Sequence, residues 1–561
     1  MAVFLVVMVV ALLAIAATTV VGPKVGLAAP LLLVAVGVAA SFIPSLRDFE
    51  IDPEWILEGL LPPLLYSSAV SMPSMNFRRE FRAIGGLSVL LVVASALLLG
   101  LFFMAVLPDL GFAWGVALGA IISPTDAVAT SLVKQTAVSK RVVALLDGES
   151  LLNDATALVV LRTAIVATAA AFSFWGALGT FAYSVVVACV VGFVVGLANL
   201  AVRKRIGEPA VNTVLSFAVP FLASIPAELL GGSGLVAAVV AGLVTGYWAP
   251  RLLSPRTRLS DMQNWRTVEL VLEGVIFLTL GLQVRQVLEG VERDHAGVGQ
   301  AVLIAVVALV ITVVIRALYV GPLIRFLSWR RVRGARVQAR FERLQEKLST
   351  PEGRQQAAAR LQERSRGRRA PSEKRLDRFS QRVTRGLADI EYFVRAPLGW
   401  REGTTVVWAG MRGAVTVAAA HTLPDDTPQR STLILIAYAV ALLSLGIQGG
   451  TIGLLLKVIA PPDDGSAAEH DAQERERLVE LIRDAAQQIP EPDVPEHADR
   501  QKQFEAALRH RRDVLDAKRS ALLDARDDGT FDADVLEELL MNLDASQIAL
   551  ELRGKHVESG D

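Results

Sequence analysis

One cysteine, Cys189, stands in a chain of 561 residues, inside an apolar run. That scarcity leaves no disulfide framework and no thiol-ligated metal. Histidine is also rare: there are six, mostly in loops and tail. Charged residues make up only 20% of the chain against 53% hydrophobic ones, and they avoid the long apolar stretches. Such a chain reads as a polytopic membrane protein rather than a soluble globule. A formal net charge of zero gives no reason to expect a nucleic-acid partner. No hydrolytic triad, nucleotide loop or redox constellation is visible, so no enzymatic function is expected and no cofactor is implied. The first 21 residues lack a basic leader and a small-residue cleavage site. They read as a first spanning helix that stays in the protein.

About thirteen apolar segments, starting near residue 2 and ending near 459, approach the ~20 residues needed to cross a ~30 Å hydrocarbon core. The expected fold is all-α and polytopic, with about 13 transmembrane helices in residues 1–460 and a helical tail over 461–561. Basic residues set the orientation. Arg78, Arg79 and Arg82, then Lys134, Lys140 and Arg141, then Arg203, Lys204 and Arg205, and then Arg251, Arg256 and Arg258 all flank loops on one side of this count. The positive-inside rule puts the N-terminus outside and the C-terminus in the cytoplasm. Between helices 11 and 12 lies a cytoplasmic loop, 328–396, with 19 Lys/Arg against 8 Asp/Glu, a balance of +11 that includes Arg366, Arg368 and Arg369. Either it is a solvated linker or it contacts anionic lipid headgroups. The tail is acidic, with 26 Asp/Glu against 13 Lys/Arg, a balance of −13. Apolar stripes at Phe504, Leu508, Leu515 and Leu522, and again at Val535, Leu536, Leu539 and Leu543, need cover. Opposite charge and tethering predict contact between tail and loop, in one protomer or across a dimer.

Against this apolar background, Asp126, Asp147, Glu149 and Asp154 fall within 29 residues. A carboxylate at membrane depth is costly unless it is paired, hydrated or bound to an ion. Ser123-Pro124-Thr125-Asp126 interrupts a helix, because Pro124 cannot donate the internal hydrogen bond. Non-helical backbone at that depth lines a cavity or packs in protein. The next crossing carries Glu149, Ser150, Asn153 and Asp154, joined at i,i+3 and i,i+4 into one polar patch. Carboxylate, hydroxyl and amide oxygen together suit a hard monovalent cation, and the carboxylate can hold a proton instead. Gly410 and Gly413 around Arg412 allow a second broken helix. Arg412 and Arg316, both in apolar runs, each need a carboxylate or free carbonyls. Helices 1–6 and 8–13, grouped around a linking seventh, put both breaks fifth in their group. That is the spacing of an inverted-repeat transporter with two crossing broken helices. Pro62-Pro63 followed by Ser67 and Ser68 distorts the third helix, and these hydroxyls either pack or line the site. Glu269 and Glu273, one turn apart in the tenth helix, either pair with basic groups or line a water path.

Ser123-Pro124-Thr125-Asp126, Gly148-Glu149-Ser150-Leu151-Leu152-Asn153-Asp154 and Gly410-Met411-Arg412-Gly413-Ala414, in this order, resemble the signatures of the monovalent cation:proton antiporter-1 family. That family includes NhaP-type proteins and sodium/proton exchangers. The resemblance spans roughly 5–460. It implies a homodimer in the plasma (inner) membrane, a core domain moving against a dimerisation domain, and electroneutral exchange of one Na+ or K+ for one H+. It implies Asp154 as the ion- and proton-binding carboxylate and Asn153 in the place of a second acidic residue. Thr125 and Ser150 would be oxygen ligands, so that Asp154, Ser150 and Thr125 hold the cation. Asp126 would stand at the first crossover, Arg412 at the second, and Glu149 with Arg316 as a buried brace. After Pro-Pro-Leu-Leu many members carry an acidic residue two positions on. This chain has Tyr66 and then Ser67, which leaves Na+ or K+ as the preferred ion.

Overall fold

The computed structural model describes residues 2–44, 52–107, 109–126, 128–134, 138–169, 174–293, 297–350, 355, 373–459, 466–492 and 500–558. Arg366, Arg368 and Arg369 lie outside these. The described residues form helices throughout. The chain divides into two compact units, Met1–Ile324 with Trp400–Pro461, and Arg325–Gly399 with Pro462–Asp561.

The first unit opens with α1 (Ala2–Val25) and α2 (Ala29–Ser41). A π-helical segment, Trp55–Leu60, leads into α3 (Leu61–Ser71), whose first turn holds Pro62 and Pro63. The helix is continuous there, with the Leu61 amide donating to the Ile56 carbonyl, and Pro62 and Pro63, which have no N–H to donate, follow directly on the π-helical turns. Next come α4 (Ser74–Gly85), a π-helical segment Gly86–Leu91, and α5 (Val92–Val106). The fifth crossing is split into α6 (Phe112–Ile122) and α7 (Val128–Val133). Then follow α8 (Lys140–Ala169), α9 (Phe174–Arg203), α10 (Pro209–Leu229), α11 (Gly234–Leu252) and α12 (Pro255–Leu282). A short α13 (Val284–Arg293) precedes α14 (Val298–Ser349). The twelfth crossing is split like the fifth, into α16 (Trp400–Trp408) and α17 (Ala414–His421), after α15 (Glu373–Arg395) of the other unit. The thirteenth is α18 (Arg430–Ser444), a π-helical segment Leu445–Gly449, and α19 (Gly450–Ile459).

Nine helices among the described residues are long and apolar enough to cross a membrane. The distribution of side chains agrees with a lipid solvent. Val186, Val190, Phe193 and Val194 on α9, and Leu303, Val310 and Leu318 on α14, face outward, while Asn153, Arg316 and Thr416 are buried. With lipid outside, close packing rather than hydrophobic expulsion holds such helices together, and small residues permit it. At Gly37 and Gly281, where α2 meets α12, a Cβ on either would strike the other helix's backbone.

In the second unit, α20 (Ser466–Gln487), α21 (Arg500–Asp528) and α22 (Ala533–Glu558) pack together. Leu478, Leu522 and Leu536 are buried there. The tail stripes therefore cover one another to a large extent, because folding back at Gly529 (φ 73°) brings α22 against α21. Helix α15 also packs on α21. Arg395 Nη1 donates to Glu474 Oε1 at 3.0 Å, and Arg385 lies 3.9 Å from Asp528. Helix α14 has 52 residues, and those from Arg325 onward belong to the second unit.

Candidate functional site

The two breaks meet. Residues 123–126 and 410–413 are unwound, and the Asp126 amide donates to the Met411 carbonyl at 2.7 Å. A Cβ at Gly413 would collide with the Asp126 carboxylate, so only glycine permits this approach. Each break leaves two helix ends inside the protein, with N–H groups bare at the starts and carbonyls bare at the finishes. At the starts of α7 and α17 the partial charge is positive. The Asp126 carboxylate answers it there: its Oδ1 accepts from the Val128 amide at 3.1 Å, and Gly413 lies against it. At the finishes the partial charge is negative. Arg412 answers it, donating from Nε to the Ile122 carbonyl at 3.1 Å and from Nη1 to the Gly410 carbonyl. The Arg412 amide is held by Ser444 Oγ at 2.9 Å, and that hydroxyl donates to Gln448 at 2.6 Å in the π-helical segment.

Helix α8 presents two adjacent stripes to this crossing, where the sequence suggested one patch. Glu149 and Asn153 face the protein. Arg316 on α14 donates through both terminal nitrogens to Glu149, with Nη2 to Oε2 at 2.7 Å, and through Nε to the Val406 carbonyl at 2.9 Å. Thr125 Oγ1 donates to Glu149 Oε1 at 3.1 Å. Asn153 Nδ2 donates to the Thr125 carbonyl at 3.0 Å and to its hydroxyl at 2.6 Å. These bonds fix the first break. The other stripe, Ser150 and Asp154, faces a cavity of about 50 Å³ whose wall also includes Thr125, Asp126, Ser68 and Glu273. Its remaining wall is largely apolar, from Leu61, Leu65, Phe277 and Val415. A space of this size accommodates an ion or a few water molecules. Asp154 is only 7% exposed.

The structure thus brings together Thr125, Asp126, Ser150, Asp154, Ser68 and Glu273 around one cavity, with Asn153 and the Glu149–Arg316 pair behind it. Ser67 is not among them: its hydroxyl turns to Glu269 on α12 at 3.1 Å. Arg141 and Arg203, read from the sequence as loop-flanking charges, are instead buried. Arg141 Nε lies 2.6 Å from Glu80, and Arg203 pairs with Asp261 within a network that includes Asn212, Ser216 and Trp265. Glu80 and Asp261 carried no signal by themselves, since each stands at the polar end of an apolar run. Among the described residues no group of three or more His, Cys, Asp or Glu is placed to hold a metal ion.

Two unwound segments crossing beside a buried carboxylate are the geometry of an ion-coupled transporter. The transmembrane family of sodium/hydrogen exchangers matches residues 8–342 and 382–458. The chain belongs to that family. It is a family of secondary transporters, not of catalytic enzymes. The exchanger is 27% identical to an uncharacterized Na+/H+ exchanger of Mycobacterium tuberculosis over 97% of this chain and 96% of that one. It is 26% identical to the Na+/H+ antiporter ApNhaP of Aphanothece halophytica, over 76% of this chain and 68% of the relative. A sodium, potassium, lithium and rubidium/H+ antiporter of Bacillus subtilis is 29% identical over 48% of this chain and 41% of its own. Among solved structures, the sodium proton antiporter MjNhaP1 of Methanocaldococcus jannaschii superposes with a TM-score of 0.55 at 17% identity, covering 82% of this chain and all of the other. The exchanger therefore has the NhaP1 antiporter fold, in a multi-pass membrane protein.

Proposed function

We propose that the exchanger moves one monovalent cation, Na+ before K+ or Li+, against one proton, with Asp154 binding either. The observation that carries this reading is the cavity itself: the Asp154 carboxylate and Ser150 hydroxyl open into it beside the crossed breaks. An ionised carboxylate at this depth is expensive, so Asp154 takes a proton or a cation, and the two compete. Ser150 and Thr125 add neutral oxygens to the cation. Asn153 adds no charge, so each half-cycle carries one positive charge and the exchange is electroneutral. Glu149 and Arg316 neutralise each other and hold the break in shape. Asp126 and Arg412 balance the helix ends that move with it, and Ser68 and Glu273 complete the wall.

The basic loops put the N-terminus outside and the C-terminus in the cytoplasm of a bacterial-type plasma membrane. The transporting form is a homodimer, and the basic 328–396 segment rests on anionic headgroups. The experiment is reconstitution into proteoliposomes with a pH-sensitive dye inside. Adding Na+, K+ or Li+ should release protons in the wild type, and Asp154→Asn should abolish the signal in a protein that still folds. Retained Na+-driven proton movement in folded Asp154→Asn protein would end this reading.

A further inference from the structure

Glu269 has no part in the mechanism above. It lies on α12 one turn before Glu273, about 6 Å along the axis, and it is half-buried. Its Oε2 accepts from Ser67 Oγ on α3 at 3.1 Å. Both neighbours lead to the cavity: Ser68 follows Ser67 in the chain, Glu273 follows Glu269 on the helix, and both line the wall with Asp154. Glu269 is not itself in the cavity wall; it stands one turn outside it, on the seam between two of the helices that enclose the site.

The charged groups around it are Arg266 and Glu273 on its own helix, Lys134 just past α7, and Asp147 on α8. Lys134 is already matched, with Nζ 3.0 Å from Asp147 Oδ2. Neither Glu269 nor Glu273 has an ion pair among the described residues. A neutral hydroxyl is a poor match for a half-buried carboxylate, which gains far more from a cation. Glu273 and Asp154 stand in the cavity wall and Glu269 just outside it, so three carboxylates on α12 and α8 gather at one site.

We propose that Glu269 is the capture residue of this transporter: it holds the incoming cation just outside the cavity and passes it by way of Glu273 to Asp154. It therefore sets the apparent cation affinity and not the rate of the exchange step. This rests on the exchange reading above. The competing role is a mechanical one, a hydrogen-bonded brace between α3 and α12.

Glu269→Gln separates the two, because the amide oxygen still accepts from Ser67 while the charge is gone. The half-saturating Na+ concentration should rise about five- to tenfold, the worth of one charge at a few ångströms in a partly hydrated site, with the maximal rate and melting temperature kept. An unchanged half-saturation, or a fall in maximal rate alone, overturns the proposal. The second variant exchanges the two residues, Ser67→Glu with Glu269→Ser. It returns a carboxylate to the same contact from the other helix, and half-saturation should come back to within about threefold of wild type. If it stays as weak as Glu269→Gln in a protein that melts normally, the proposal fails. Should Glu269→Gln not fold, Ser67→Ala decides, because it removes the hydrogen bond and keeps the charge: half-saturation within about threefold of wild type upholds capture, and a five- to tenfold rise overturns it. Wild-type protein without Na+-driven proton release would instead defeat the exchange reading.

Discussion

Replacing Arg316 with alanine should cost this protein most of its structural margin while leaving the cavity lining chemically intact. The Arg316 and Glu149 side chains are each 2% exposed. Removing the guanidinium strands the Glu149 carboxylate, to which, among the described residues, the Thr125 hydroxyl then remains the donor. It also strands the Val406 carbonyl at the end of α16. Breaking one side of a buried pair costs about 3–5 kcal/mol in soluble proteins, and the orphaned carbonyl adds about 1–3 kcal/mol. Arg316→Lys keeps the charge but loses the two-pronged contact, so it should fall between wild type and Arg316→Ala. Replacing both partners by neutral groups of similar volume, Glu149→Gln with Arg316→Met, should restore much of the loss, since no charge is then left unpaired. The assay is thermal melting of purified protein in detergent, read by size exclusion after heating, for the two singles and the double. Arg316→Ala melting like wild type, or a double variant no more stable than Arg316→Ala, would refute the argument.

Gly413→Ala drives a methyl group into the Asp126 carboxylate; overpacking of this kind costs about 1–3 kcal/mol. Its exchange rate should fall at least about tenfold, and Asp126→Ala in the same chain should recover melting temperature but not transport. Exchange should be indifferent to voltage: the membrane potential is worth ~2.3 kcal/mol per charge per 100 mV, so a net charge moved per cycle would change turnover plainly when valinomycin clamps an inside-negative potential. Deleting residues 463–561 removes the Glu474 and Asp528 partners of Arg395 and Arg385. It should shift the pH or salt dependence of exchange in proteoliposomes; a profile that superposes on wild type would show that the tail does not regulate transport.

The helical membrane architecture was legible in the chain because lipid imposes a coarse rule. Every spanning segment must be apolar, near ~20 residues, and hydrogen-bonded within itself. The breaks were legible for the converse reason: Pro124 cannot continue a helix, and Gly410 and Gly413 resist one, so both interruptions stand out against an apolar background. Asp126, Asp147, Glu149 and Asp154 stood out because a carboxylate is expensive there, and the family resemblance singled out Asp154 among them. The sequence by itself therefore determined the helical spans and where two of them break. Which partner each charge takes is a matter of tertiary structure: the family resemblance implied the Glu149–Arg316 pair, but composition and spacing did not. Glu149 and Arg316 are 167 positions apart, and only packing selects that pairing over Arg412, which is satisfied by the Ile122 and Gly410 carbonyls instead. Neighbouring residues part company for the same reason. Ser67 reaches Glu269 while Ser68 lines the cavity, and Glu149 turns inward while Ser150 faces it. A helical step of about 100° per residue sends adjacent side chains to different neighbours, and only the assembled bundle determines what those neighbours are.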